Sequence, residues 1–203
     1  MVGDGMKALH KDFWMEIRKS KARFISIFLI VALGVAFFSG IQASSPDMRY
    51  SGDAYYEAAK LMDLKIQGTL GLTQRDVKAV SDIDGVELAE GGYSTDVMSG
   101  EDDARKVLHL ESISSNFNLL TADEGRIPKK SGEIFLDKPF AKNRGYKIGD
   151  TISVSEDGDS ELLKKTTYTV VGIGSSPLYI SFNRGNTTLG SGEVSGFGYI
   201  LPE

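Results

Sequence analysis

One stretch of the chain carries no charge at all. Phe24 to Ala43 reads FISIFLIVALGVAFFSGIQA, and twelve of its twenty residues are Phe, Ile, Leu or Val. Twenty helical residues rise about 30 Å, the thickness of the hydrocarbon core of a bilayer. At about −0.3 to −0.6 kcal/mol each, the twelve contribute roughly −4 to −7 kcal/mol toward insertion. Ser26, Ser39, Gln42 and two glycines offset only part of that. The pattern predicts a transmembrane helix over 24–43. A buried core helix is disfavoured, because a wholly apolar helix of this length is unusual in a small domain. A cleaved signal peptide is disfavoured by the long apolar run, the long basic arm and the weak cleavage site Ile41-Gln42-Ala43.

Before the span, Met6, Leu9, Phe13 and Ile17 recur at helical spacing, with Trp14 beside them. Lys7, Lys11, Asp12, Arg18 and Lys19 fall mostly on other faces. That predicts an amphipathic helix lying on the inner leaflet, with Met6 as a plausible natural start. Phe13, Trp14, Arg18, Lys19, Lys21 and Arg23 are the candidate membrane-interface residues. Four cations precede the span, whereas Asp47 and Arg49 cancel after it, so the positive-inside rule places 1–23 in the cytoplasm. Within the span, Ala32, Ala36 and Gly40 recur every four residues, and Ser44 extends the row. Such a row lets another helix backbone approach, and these three are the candidate helix-packing residues. Small residues are also common in spans, so chance remains an alternative.

Beyond the span, 44–203 reads as one extracytoplasmic α+β domain. Asp53–Met62 is predicted helical and Leu64–Leu72 is predicted as an alternating strand. Thr73-Gln74-Arg75-Asp76 resembles a capping box opening a helix. Strands are predicted at 86–97, 105–112, 133–136, 151–155 and 167–173, with a short helix at 139–143 closed by Gly145. A loop is expected around Gly125, Arg126 and Pro128, and the Gly- and Ser-rich end is expected to be less regular. The total is six or seven strands with two or three short helices.

Charge divides the chain in the same way. Residues 1–23 carry six Lys/Arg against three acids, a net +3, and the whole chain is −5, which leaves −8 on the remainder. An acidic domain lacks the electrostatic footprint of a nucleic-acid binder. With no cysteine there are no disulfides, thiolate metal sites or Cys nucleophiles. His10 and His109 are the two histidines. One outer-side His does not make a Ser-His-Asp set, and His109 is expected to be structural. Glu101–Asp103 and Glu156–Asp159 lack the spacing of an EF-hand and read as solvated turns. No GxxxxGK[ST] loop occurs, and Gly172-Ile173-Gly174 lacks the third glycine of a dinucleotide fingerprint. No catalytic, cofactor or metal residue is therefore assigned.

Four segments carry a resemblance in their order: LTQRDVKAVSDIDGVELAEGG (72–92), GRIPKKSGEIFLD (125–137), GYKIGDTISV (145–154) and YTVVGIG (168–174). Behind a basic arm and one span, over residues 7–180, they resemble the N-terminal part of FtsX/MacB-like ABC transporter permeases. The resemblance implies a cytoplasmic ABC ATPase acting in trans, a second permease copy or paralogue, and motion passed through the helices to the outer domain. Family permeases have further spans after this domain, so the chain is expected to be a fragment, with its outer domain incomplete. The alternative is a membrane-anchored extracytoplasmic binding or sensor module. An anchored hydrolase is a third, weakly supported class.

Overall fold

The structure is a computed structural model and describes residues 3–100, 105–156 and 163–202. It is mixed α+β, with one long apolar helix followed by a sheet-rich domain. Two compact units are present, Met1–Tyr55 and Tyr56–Glu203.

In the first unit, α1 (Gly3–Lys19) is followed directly by α2 (Lys21–Ala58), a single helix of 38 residues. The apolar run thus forms the helix expected of it. The helix also runs well past Ala43, through Pro46, which cannot donate the usual bond to the Gln42 carbonyl. It ends in a Schellman closure: Leu61 N–H reaches the Tyr56 carbonyl at 3.0 Å, and Lys60 N–H reaches that of Glu57 at 3.1 Å. Lys60 takes the left-handed conformation this requires, with φ 49°.

The second unit is built on seven strands: β1 (Ser94–Ser99), β2 (Lys106–Ser112), β3 (Thr121–Gly125), β4 (Glu133–Asp137), β5 (Thr151–Ser155), β6 (Thr167–Ser175) and β7 (Val194–Ile200). Their order is β3-β6-β4-β7-β2-β1-β5, and β5 also pairs with β6. Six strands therefore close on themselves, and β3 lies outside the ring. The β2–β7 and β4–β6 pairs are parallel and the rest antiparallel.

Both faces of the central strands are covered, and β4 shows how. Ile134 and Leu136 join the larger core with Leu108, Leu110, Ile152 and Val170. Phe135, between them in sequence, joins Phe197 and Tyr199 in a second cluster on the opposite face. Neighbouring glycines make the room. A Cβ at Gly172 or Gly174 would come within 2.7 or 2.9 Å of the Phe135 ring. One at Gly196 would lie 2.5 Å from Phe140, which α4 (Lys138–Arg144) buries together with Ala141. Gly145 closes α4 at φ 76°, a left-handed conformation suited to glycine.

Several expectations need correction. Leu64–Leu72 forms no strand, because no described segment offers it a ladder. Leu64, Ile66 and Leu70 are accordingly 83%, 57% and 100% exposed. The strand expected over 86–97 begins only at Ser94. The loop near Gly125 contains β3, and the Gly-rich end contains β7, a central strand. The expected capping box is present: α3 (Gln74–Ser81) has Thr73 and Asp76 bonded reciprocally. The acidic turns at 101–103 and 157–159, and the Met6 and Lys7 side chains, lie outside what the structure describes.

Candidate functional site

No residue of α2 is buried, and from Phe24 to Ile41 the large apolar side chains stand open: Ile30 is 70% exposed, Phe37 74%. A soluble core helix would hide these side chains against protein, so this surface calls for lipid. Two of its hydroxyls are satisfied inside the helix. Ser26 Oγ donates to the Ala22 carbonyl at 2.9 Å, and Ser44 Oγ to that of Gly40 at 3.0 Å. Among the described residues this is one helix long and apolar enough to cross a membrane.

The candidate interface residues lie on either side of the break between α1 and α2. Phe13 and Trp14 are about 60% exposed, and Arg18 and Lys19 occupy the last turn of α1. Lys21 and Arg23 open α2. At the Gly40 end of the row Ala32, Ala36 and Gly40, an added Cβ would meet no atom within 4 Å.

In the second unit, the turn from β3 into β4 is organised by one ion pair. Gly125 takes φ 72°, and a Cβ there would clash with the Val171 carbonyl. Arg126 then grips Glu133 through both guanidinium arms, and the Lys129 and Lys130 amides donate to the same carboxylate. Arg126 and the Lys129 amide hold the Glu133 carboxyl down at about 2. The GR…SGE motif is thus a self-bonded turn. A small cleft beside it, lined by Gly125, Arg126, Ile148, Gly149 and Thr169, is open to solvent.

Two polar groups lie on the face that carries Phe197. Arg184 holds the buried Asp137 through Nε and a terminal nitrogen, both at 2.9 Å. It also bonds the Tyr179 and Ser181 carbonyls and lies over the Phe197 ring, which pins the segment before β7. Nearby, cross-strand partners Asp96 and His109 meet at 2.6 Å. Glu111 lies 3.5 Å from the other His109 nitrogen and 3.0 Å from Lys65 Nζ. Burial works to raise Glu111, but His109 and Lys65 outweigh it and hold it at about 2. Burial likewise works to lower His109, and its two carboxylate partners raise it instead. Among the described residues, no three His, Asp or Glu side chains converge as a metal site.

Residues 24–200 match the MacB-like periplasmic core domain family. The chain belongs to that family. Its recognised unit begins at the first residue of the apolar run and ends at the last residue of β7, so span and sheet belong to one family unit. The chain accordingly carries a MacB-like periplasmic core domain. A comparison with curated proteins found no match. Among solved structures, the chain is similar to the extracellular domain of the noncanonic ABC-type transporter YknZ from Gram-positive bacteria. That likeness has 12% identity and a TM-score of 0.42, covering 66% of this chain and 64% of the YknZ domain.

Within the MacB-like domain, the quoted sequence motifs fall on architecture. The 125–137 segment is the Arg126–Glu133 turn with β4, 145–154 is the α4 closure with β5, and 168–174 is β6. Sequence reasoning placed His109 as structural but missed Glu111 and Lys65, which stand 46 positions apart. A pattern read along one strand gives no signal for such a pair.

Proposed function

We propose that this chain is the N-terminal part of an ABC-transporter permease of the FtsX/MacB type, whose first span links a cytoplasmic ATPase to an extracytoplasmic domain. The observation that carries this reading is the family match, which runs without a break from Phe24 to Ile200. The continuity of α2 supports it. If 24–43 is the span, Ser44–Ala58 continues it as a rod of roughly 22 Å. The residues just beyond the helix are fastened to the domain: Leu119 and Asn118 donate to the Ala59 and Lys60 carbonyls, and Met62 donates to Asn118 Oδ1. A helix continuous from the span to Ala58 is suited to passing on a push.

On this reading residues 1–23 are cytoplasmic, the span is 24–43, and 44–203 is extracytoplasmic. Phe13, Trp14, Arg18, Lys19, Lys21 and Arg23 seat the arm on the inner leaflet, and Ala32, Ala36 and Gly40 receive a helix of a second permease copy or paralogue. The chain itself is not an enzyme, since its sequence has no phosphate-binding loop with the needed Lys and hydroxyl. One helix cannot enclose a polar path, so the transport walls and the ATP energy come from partners.

The test is purification from native membranes in mild detergent. An ATPase subunit should accompany the chain, and Gly40→Leu should weaken association with partner spans while a bulky change at Val35 does not. A folded chain recovered alone in every detergent would overturn the permease reading. Orientation is tested separately with an impermeant thiol reagent on intact cells. A cysteine replacing Lys142, exposed on α4, should react, and one replacing Ser20 should not.

A further inference from the structure

The polar cluster around Glu111 has a property that the permease reading does not use. One oxygen, Glu111 Oε1, serves two cations at once: Lys65 Nζ at 3.0 Å and the His109 ring at 3.5 Å. The other His109 nitrogen lies 2.6 Å from Asp96. A ring with a carboxylate at each nitrogen donates to both only when charged, because neutral imidazole has one N–H. The remaining neighbours leave this balance intact. Tyr199 bonds Ser176, Tyr179 meets the His109 ring edge-on, both tyrosine hydroxyls are held protonated by burial and the nearby Glu111 charge, and Arg184 is committed to Asp137.

Lys65 belongs to the stretch directly after the α2 closure. The Met62 amide is fastened to Asn118, and beyond it Leu64 and Leu70 are almost wholly exposed and Ile66 more than half. The Lys65–Glu111 pair ties this stretch to β2.

We propose that His109 is an acid-responsive switch that loosens the Leu64–Leu72 segment by competing with Lys65 for Glu111 Oε1. When the ring is charged, a second cation faces the oxygen that holds Lys65, and the net pull on Lys65 falls. When the ring is neutral, Lys65 is the one cation left on that oxygen. Geometry supplies the competition, and the raised His109 pKa places the change above 6.5, the value of a free imidazole. The inference holds whether or not an ATPase partners the chain.

The absence of cysteine makes the test direct. Ile66→Cys, at a position 57% exposed, carries one nitroxide on the full chain in detergent micelles. Its electron paramagnetic resonance spectrum is followed from about pH 5 to about pH 9, the range spanning imidazole titration. The label should become several-fold less mobile as pH rises. With His109→Gln added it should stay ordered throughout, and with Lys65→Ala it should be mobile throughout. A flat profile in the otherwise native chain, or a pH response that survives His109→Gln, overturns the switch. His10→Gln leaves His109 as the single imidazole, so its nuclear magnetic resonance titration is a second measurement that needs no change in the domain. An inflection above 6.5 supports the charged ring, and one at or below 6.5 overturns it.

Discussion

The two units of this molecule use apolar residues in opposite ways. In α2 the large apolar side chains are exposed and none of the helix is buried. In the sheet domain Phe135, Ile134, Leu136 and Phe197 are wholly buried, and glycines on the neighbouring strands are spaced to receive them. The same residue types are therefore stabilised by different solvents. The sheet domain completes its core from its own strands, whereas the helix presents a surface that lipid must complete. Shape matters in the first setting and composition in the second.

The sharpest way to break this comparison is to remove one ring from each unit. Phe135→Ala leaves a cavity between the second core cluster and Gly172 and Gly174. It should cost about 3–5 kcal/mol in chemical denaturation of the domain. Phe37→Ala, 74% exposed on α2, should shift the same transition by less than about 0.5 kcal/mol. Similar losses at both positions would mean that the helix draws on protein packing after all.

Charge reverses the ranking. Leu33→Arg in the middle of the span should cost about 3–4 kcal/mol in an insertion assay, enough to shift the chain out of the membrane. Ile148→Arg, half-exposed beside the Gly149 turn, should leave insertion unchanged. Unchanged insertion of Leu33→Arg would remove the span.

These contrasts also explain what the sequence made legible. The span, the basic arm, the Thr73 cap, the α4 closure and strands β2, β4, β5 and β6 follow from local patterns: charge-free length, capping spacing, a terminal glycine, alternation. β7 was missed because Val-Ser-Gly-Phe-Gly-Tyr-Ile reads as a loop in isolation. Its glycines are explained only by what lies opposite, Phe140 at Gly196, and Ile134 and Leu110 at Gly198. β3 was missed because Thr-Ala-Asp-Glu-Gly is a polar edge strand outside the ring, exposed along its whole length. Leu64–Leu72 shows the reverse error, since alternation without a neighbouring ladder does not make a strand. The Glu111 cluster depends on register, which pairs Asp96 with His109 and brings Lys65 from a distant segment.

Acid and base act on the sheet domain through the Glu111 cluster. Glu111 is depressed from 4.5 to about 2, so its contribution is present above pH 4.5 and is lost as pH falls through about 2. His109 is raised, so its contribution is full below pH 6.5 and is lost as pH rises through its folded value. The domain should be most stable between about pH 4.5 and 6.5 as far as this pair decides it. Glu111→Gln should cost about 2–3 kcal/mol at pH 6 and flatten both limbs of the stability profile, read from denaturation midpoints. An unaltered profile would mean that other groups set it.

A third setting sharpens the comparison from its weak end. α3 has neither lipid nor core: none of its residues is buried, yet it forms eight helical residues. An isolated helix this short is unstable in water, so something local must hold its start. The capping box does this. Thr73 Oγ1 accepts from the Asp76 amide, and the Asp76 carboxylate accepts from the Thr73 amide at 2.7 Å. These bonds also pull the Asp76 carboxyl below its usual value, so the box should weaken as acid protonates it. Thr73→Ala removes the hydroxyl and should cost about 1 kcal/mol. Because α3 half-buries only Val77 and Val80, the loss should be local. Amide exchange of Val77 to Ser81 should quicken about fivefold while β4 and β7 keep their protection and the denaturation midpoint stays still. If the midpoint moves with the exchange rate, α3 is coupled to the core and belongs with the sheet. If neither moves, the box is not what holds the helix.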